Sequence, residues 1–134
     1  MMTYQETLDY LYDQLPMFQR VGKYAFKKTL DNIKALCAAL GDPQDQFPSI
    51  HIAGTNGKGA TTHILAAIYQ QAGHRVGVYT SPHYRDFRER VKINGVYISQ
   101  AEVVAFVHVN RPLFESLQPS FFEMTVAMAF DHFR

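Results

Sequence analysis

Three glycines set around one lysine, Gly54-Thr55-Asn56-Gly57-Lys58-Gly59, constrain this chain more than any other segment. The apolar run 49–53 leads straight into them and predicts a short strand. Residues 58–71 then read as a helix that Gly73 stops. A strand, a tight turn and a helix in that order gather successive backbone N–H groups into one concavity, and the helix N-terminus adds partial positive charge. Gly54, Gly57 and Gly59 leave the backbone open to phosphate oxygens, while Lys58 supplies a full charge able to bridge terminal phosphates. The segment is read as a phosphate-gripping loop for ATP, lined by Gly54, Thr55, Asn56, Gly57, Lys58, Gly59, Ala60 and Thr61. It departs from the general pattern G-x-x-x-x-G-K-[ST]. Ile52 stands in place of the first glycine, and Gly59 in place of the hydroxyl that ordinarily holds magnesium.

The rest of the chain places this loop in an α/β domain. Thr3 with Glu6, Ser99 with Glu102 and Ser120 with Glu123 have capping-box spacing ahead of apolar periodicity. Helices are expected from Thr3 to Pro16, with Leu8, Leu11, Tyr12 and Leu15 on one face, and over 28–40. Two more are expected, from Ser99 to a kink or stop at Pro112, and from Ser120 onward. Residues 17–27 read as loop, and 75–80 as the next strand. Strand, helix and strand predict parallel pairing with a right-handed crossover. Asn94-Gly95 between 91–93 and 96–98 predicts a hairpin. The expected fold is a P-loop-containing, mainly parallel sheet flanked by helices, with a small β-hairpin.

Charge and cysteine content narrow the function. Thirteen basic and 12 acidic residues give a net charge of +1, without the basic face that nucleic acid requires. No run is long enough to span a bilayer and no signal peptide opens the chain, so a cytoplasmic protein is expected. Cys37 excludes an internal disulfide and is expected in the core. The apolar segment 121–134 ends without a polar tail, the expectation being a piece of something larger.

His51-Ile52-Ala53-Gly54-Thr55-Asn56-Gly57-Lys58-Gly59 resembles the loop of the Mur ligase superfamily, and within it that of folylpolyglutamate synthase/dihydrofolate synthase, where glycine follows the lysine. Phe26-Lys27-Lys28-Thr29-Leu30-Asp31-Asn32-Ile33 resembles that family's N-terminal helix, and Thr80-Ser81-Pro82-His83 its second signature. Glu89-Arg90-Val91 with Ile93-Asn94-Gly95 resembles the following segment, and Phe121-Phe122-Glu123-Met124-Thr125 the third signature, all in the family's order.

The resemblance implies an ATP-dependent ligase that adds L-glutamate to dihydropteroate or a folate through an acyl phosphate. Lys58 would act on the transferring phosphoryl group, and Mg2+ would be held by Ser81 and Glu123. On the residues alone, Ser81 also reads as a turn residue before Pro82 and Glu123 as the cap of its own helix, duties that compete with metal binding. His83, Tyr84, Arg88 and Phe122, with Arg85, Phe87 and Arg90 nearby, are either solvated loop or a folate-facing set. Ala60 stands where relatives commonly carry serine, which implies weakened or unchanged nucleotide binding.

Family enzymes are much longer. The resemblance therefore implies an N-terminal portion of the ATP-binding domain, inactive alone, within a monomeric full-length enzyme. The remaining metal ligand, a modified lysine and a C-terminal domain would lie beyond Arg134. The rival readings are a Mur-type ligase acting on a cell-wall precursor, whose loops usually have a hydroxyl at the place of Gly59, and a non-catalytic nucleotide-binding module.

Overall fold

The structure, a computed structural model, describes residues 2–13 and 29–134. Leu15, Pro16, the expected loop 17–27 and the Phe26-Lys27-Lys28 end of the helix motif lie outside the described residues.

Five helices and three short strands follow in order among the described residues: α1 (Tyr4–Asp13), α2 (Asp31–Ala39), α3 (Lys58–Gln71), β1 (Gly77–Tyr79), β2 (Val91–Ile93), β3 (Val96–Tyr97), α4 (Gln100–Leu117) and α5 (Phe121–Phe133). Short 3-10 turns occupy Pro43–Asp45 and Phe87–Arg90. All three expected capping boxes form. Thr3 N–H donates to Glu6 Oε2 at 2.7 Å ahead of α1, and the same reciprocal bonds start α4 at Ser99 and α5 at Ser120. These caps act over one turn of backbone, which is why sequence spacing finds them.

The core gathers around α5, which packs on α2, α4 and β1. Met124, Ala127, Met128 and Ala129 of α5 are buried with Leu11 of α1, Leu36 of α2, and Val103 and Val107 of α4. Phe87, Val91 and Ile98 close the same cluster from the sheet side. Each large side chain buried here contributes roughly 1.5–3 kcal/mol. Cys37 is buried, as expected.

The α/β class and the hairpin stand, but the sheet is antiparallel throughout in the order β1-β2-β3. Asn94 (φ 49°) and Gly95 (φ 78°) form the tight turn between β2 and β3. Asn94 also exchanges hydrogen bonds with Val76: its N–H donates to the Val76 carbonyl at 2.9 Å, and its Oδ1 accepts from Val76 N–H at 2.8 Å. That pair fastens the hairpin to the start of β1 and fixes the antiparallel register. Residues 49–53 form no ladder among the described residues, and Ile50 is exposed. A strand exists only through a hydrogen-bonded neighbour, and β1 pairs with β2 alone in the order β1-β2-β3, so the expected parallel pair is absent among the described residues.

Pro112 neither ends nor stops α4, which runs on to Leu117. The proline lies on the exposed side, where water can satisfy the carbonyl that loses its donor. Phe106 packs on Phe114 at 6.0 Å and Arg111 pairs with Glu115 at 2.7 Å, so contacts on both faces span the proline. No described helix is long and apolar enough to cross a membrane.

Candidate nucleotide and metal site

Helix α3 begins differently from the capped helices. Its N-cap is Gly57, at φ 78° and ψ 2°, and no side chain caps its first turn. That left-handed backbone conformation favours glycine. Residues 54–61 are all exposed. Donors at the head of α3 therefore face solvent at the positive end of a 14-residue helix. Lys58 folds back over the loop, its Nζ donating to the Gly54 carbonyl at 2.6 Å and the Thr55 carbonyl at 3.1 Å. An ammonium held by two carbonyls above an uncapped helix end is placed to exchange them for phosphate oxygens. Thr62 Oγ1 is engaged with the Lys58 carbonyl at 2.8 Å. Ala60 and Thr61 keep their backbone on the same exposed turn.

Helix α3 packs on β1, and the chain leaving β1 carries the second group of residues. Tyr79 Oη bonds Thr125 Oγ1 of α5 at 2.8 Å, and Thr125 itself donates to the Phe122 carbonyl at 3.0 Å. The Thr125 hydroxyl hydrogen is thus committed, so Tyr79 is the donor. Just beyond, Ser81 Oγ accepts from Arg90 at 3.0 Å, and Arg90 Nε donates to His83 Nδ1 at 2.8 Å. Arg90 lies over the Phe121 ring at 5.0 Å. Ser81 and the first turn of α5, which carries Glu123, are thereby tied together through Arg90 and Phe121.

His83 Nε2 lies 3.2 Å from Tyr12 Oη of α1. Because a guanidinium only donates, Nδ1 must carry the lone pair and Nε2 the proton. Burial, reinforced by the Arg90 charge, pushes the His83 imidazole below its ordinary pKa.

Glu123 does form the cap: its Oε2 accepts from Ser120 N–H at 2.8 Å and Ser120 Oγ at 2.9 Å. Its Oε1 makes no hydrogen bond among the described residues. A serine hydroxyl and a carboxylate oxygen are hard donors of the kind Mg2+ takes, alongside water and substrate phosphates. Among the described residues no three His, Cys, Asp or Glu side chains converge into an all-protein cage.

The residues singled out for folate separate. His83 is held by Tyr12 and Arg90, as above. Arg88 is bound to Asp86 within its own turn, with NH2 to Oδ2 at 2.6 Å, so its charge is already matched. Tyr84 is 90% exposed, and Phe122 is 56% exposed with its ring against Tyr79.

Glu89, given no role beyond the Glu89-Arg90-Val91 resemblance, shapes this loop. Its carboxylate accepts the N–H groups of Tyr84, Arg85 and Asp86 at 2.9, 2.9 and 2.8 Å, and those bonds hold it below the ordinary glutamate range. The Asp86-to-Glu89 capping spacing was the available signal. Arg90 is named above beside the folate-facing set, but its bonds to Ser81 and His83, like that of Tyr12 to His83, join separate elements and follow from no local spacing.

No family model matches the chain. Dihydrofolate synthase/folylpolyglutamate synthase of Bacillus subtilis is 37% identical over 97% of this chain and 30% of its own length. The folylpolyglutamate synthase structure from Thermotoga maritima superposes with a TM-score of 0.85 at 39% identity, over 97% of this chain and 30% of that one. A structure of an FPGS–AMPPCP–folate complex superposes with a TM-score of 0.85 at 36% identity, over 99% of this chain and 32% of that one. The chain thus spans about a third of the length of these relatives. Over nearly its whole length, the chain is similar to the N-terminal part of folylpolyglutamate synthase/dihydrofolate synthase enzymes.

Proposed function

We propose that this chain supplies the nucleotide-phosphate grip and part of the magnesium site of an ATP-dependent ligase that joins L-glutamate to a folate. The observation that carries this is the open, glycine-started N-terminus of α3 with Lys58 poised above it, in a chain matching folylpolyglutamate synthases. A relative solved with AMPPCP and folate supports both ligand classes.

In this reading a substrate carboxylate oxygen attacks the terminal phosphorus of ATP and ADP leaves. The glutamate amine then attacks the acyl phosphate, forms the amide and expels inorganic phosphate. The amides of residues 54–61 and Lys58 stabilise negative charge on the transferring group. Ser81 and Glu123 Oε1 would hold Mg2+, which when bound neutralises and orients the phosphates. Tyr84 and Phe122 offer exposed ring faces to a pterin or benzoyl group. The protein acts as a soluble monomer in the cytoplasm, and these residues form the N-terminal portion of its ATP-binding domain.

The 134-residue chain alone turns over no substrate in this reading, because it spans only about a third of its relatives' length. Incorporation of labelled glutamate into folate should therefore require ATP and a chain of the relatives' length beginning with these residues. Folate extension by the 134-residue chain alone, or by the longer chain without ATP, would overturn the proposal.

A further inference from the structure

Arg90 carries a charge that the fold does not match. It is 6% exposed, at the junction of the Phe87–Arg90 turn and β2. Among the described residues no carboxylate pairs with it, and residues 14–28 contain no aspartate or glutamate. Its partners are neutral: His83 Nδ1, Ser81 Oγ and the Phe121 ring. A buried cation without a counter-ion is costly, and an apolar side chain of similar length would serve packing better. The two hydrogen bonds reach back seven and nine residues to the chain leaving β1. The ring beneath belongs to the first turn of α5, two residues before Glu123. One rigid fork thus sets Ser81, His83 and the start of α5 against one another.

We propose that Arg90 is a positioning residue that holds Ser81 Oγ and the His83 ring in one orientation, with its unmatched charge completed by the phosphates of the incoming magnesium–nucleotide complex. This rests on the reading of Ser81 as a metal ligand. Guanidinium and Mg2+ repel each other, so Mg2+ alone should not bind here and should bind together with a nucleotide.

The test uses the 134-residue chain, AMPPCP titrated with and without Mg2+, and 15N NMR of the His83 ring nitrogens at fixed pH 8. Wild type should show the Nε2–H tautomer and a Mg2+-dependent gain in AMPPCP affinity, with no saturable binding of Mg2+ alone. Arg90→Met keeps the stem over Phe121 but removes both donors. It should give mixed His83 tautomers and cut the Mg2+-dependent gain by about tenfold, the scale of one lost charged hydrogen bond. Arg90→Lys keeps the charge without the fork, so it should keep the wild-type Mg2+-free affinity but not the Mg2+-dependent gain. Should Arg90→Met fail to fold, Arg90→Lys carries the test. Ser81→Ala should remove the gain while leaving the His83 tautomer intact.

An unchanged His83 tautomer in a folded Arg90→Met chain overturns the positioning role. Full rescue of the Mg2+-dependent gain by Arg90→Lys overturns it as well. A wild-type chain indifferent to Mg2+ instead sinks the assignment of Ser81 to the metal, and tautomer loss in Arg90→Met would then uphold the clamp by itself.

Discussion

Two glycines separated by one residue should respond to alanine with opposite sign. A Cβ at Gly57 or at Gly59 meets nothing within 4 Å, so steric contact drops out of both substitutions. Only the backbone is left. Gly57 sits at φ 78°, where an L-residue costs about 1–2 kcal/mol. The lower entropy of the unfolded alanine chain returns about 0.4–1 kcal/mol, which leaves Gly57→Ala destabilised by about 1 kcal/mol. Gly59 lies within α3, where glycine is about 0.5–1 kcal/mol worse than alanine, so Gly59→Ala should gain that amount. The two variants should then differ by about 2 kcal/mol, roughly 8 °C in Tm for a chain of this size. Urea titration followed by circular dichroism, with the slope m checked for constancy, measures the difference. Gly57→Ala should also lose AMPPCP affinity, because its loop amides no longer converge. Stabilisation of the same sign and size in both variants would refute the left-handed N-cap as the reason for a glycine at 57.

Other substitutions probe the remaining pieces. Glu123→Gln keeps a capping-box side chain, so stability should move by only a few tenths of a kcal/mol, while the Mg2+-dependent part of AMPPCP affinity, read by calorimetry, should fall. Gly77→Ala would put a Cβ 2.7 Å from the Phe133 ring, for an expected loss of about 1–3 kcal/mol, and Phe133→Ala in the same chain should recover part of it in a double-mutant cycle. Glu89 titrates below the ordinary glutamate range, so its grip on Tyr84, Arg85 and Asp86 is complete at neutral pH and fades as pH falls through that lowered value. The three amide resonances should titrate together with a midpoint below the ordinary glutamate value, and Glu89→Gln should abolish that transition. Lys58→Met should weaken AMPPCP binding by about tenfold or more, with little change in Tm because its side chain is exposed.

What could be read from the sequence was what acts within one turn of backbone. The capping boxes at Thr3, Ser99 and Ser120, the Asn94-Gly95 turn and the bounds of α3 are all local, and each appears where its spacing put it. The partner of β1 was not readable in this way. The bonds between Asn94 and Val76 join residues 18 apart, and nothing in residues 75–80 says which strand will take their hydrogen bonds. The expected stop at Pro112 failed for the converse reason. Its local penalty of about 3 kcal/mol is real, but Val103, Phe106, Val107 and Phe114 bury the opposite face of the same helix, at roughly 1.5–3 kcal/mol for each large side chain.

Glu123 joins the two kinds of information. The sequence offers it as a cap or a metal ligand and sets the roles in competition, which assumes that a carboxylate is a single acceptor. In the structure Oε2 alone serves the cap, taking both the N–H and the hydroxyl of Ser120, while Oε1 makes no hydrogen bond among the described residues. An ionised carboxylate has about four acceptor sites on its two oxygens, so a cap on one leaves the other able to meet a cation. The cap also removes rotamer freedom that metal binding would otherwise have to remove. A residue whose local signal looked sufficient to explain it is thus the better prepared for a distant partner, and the cap becomes the means by which α5 would present an oxygen to the metal.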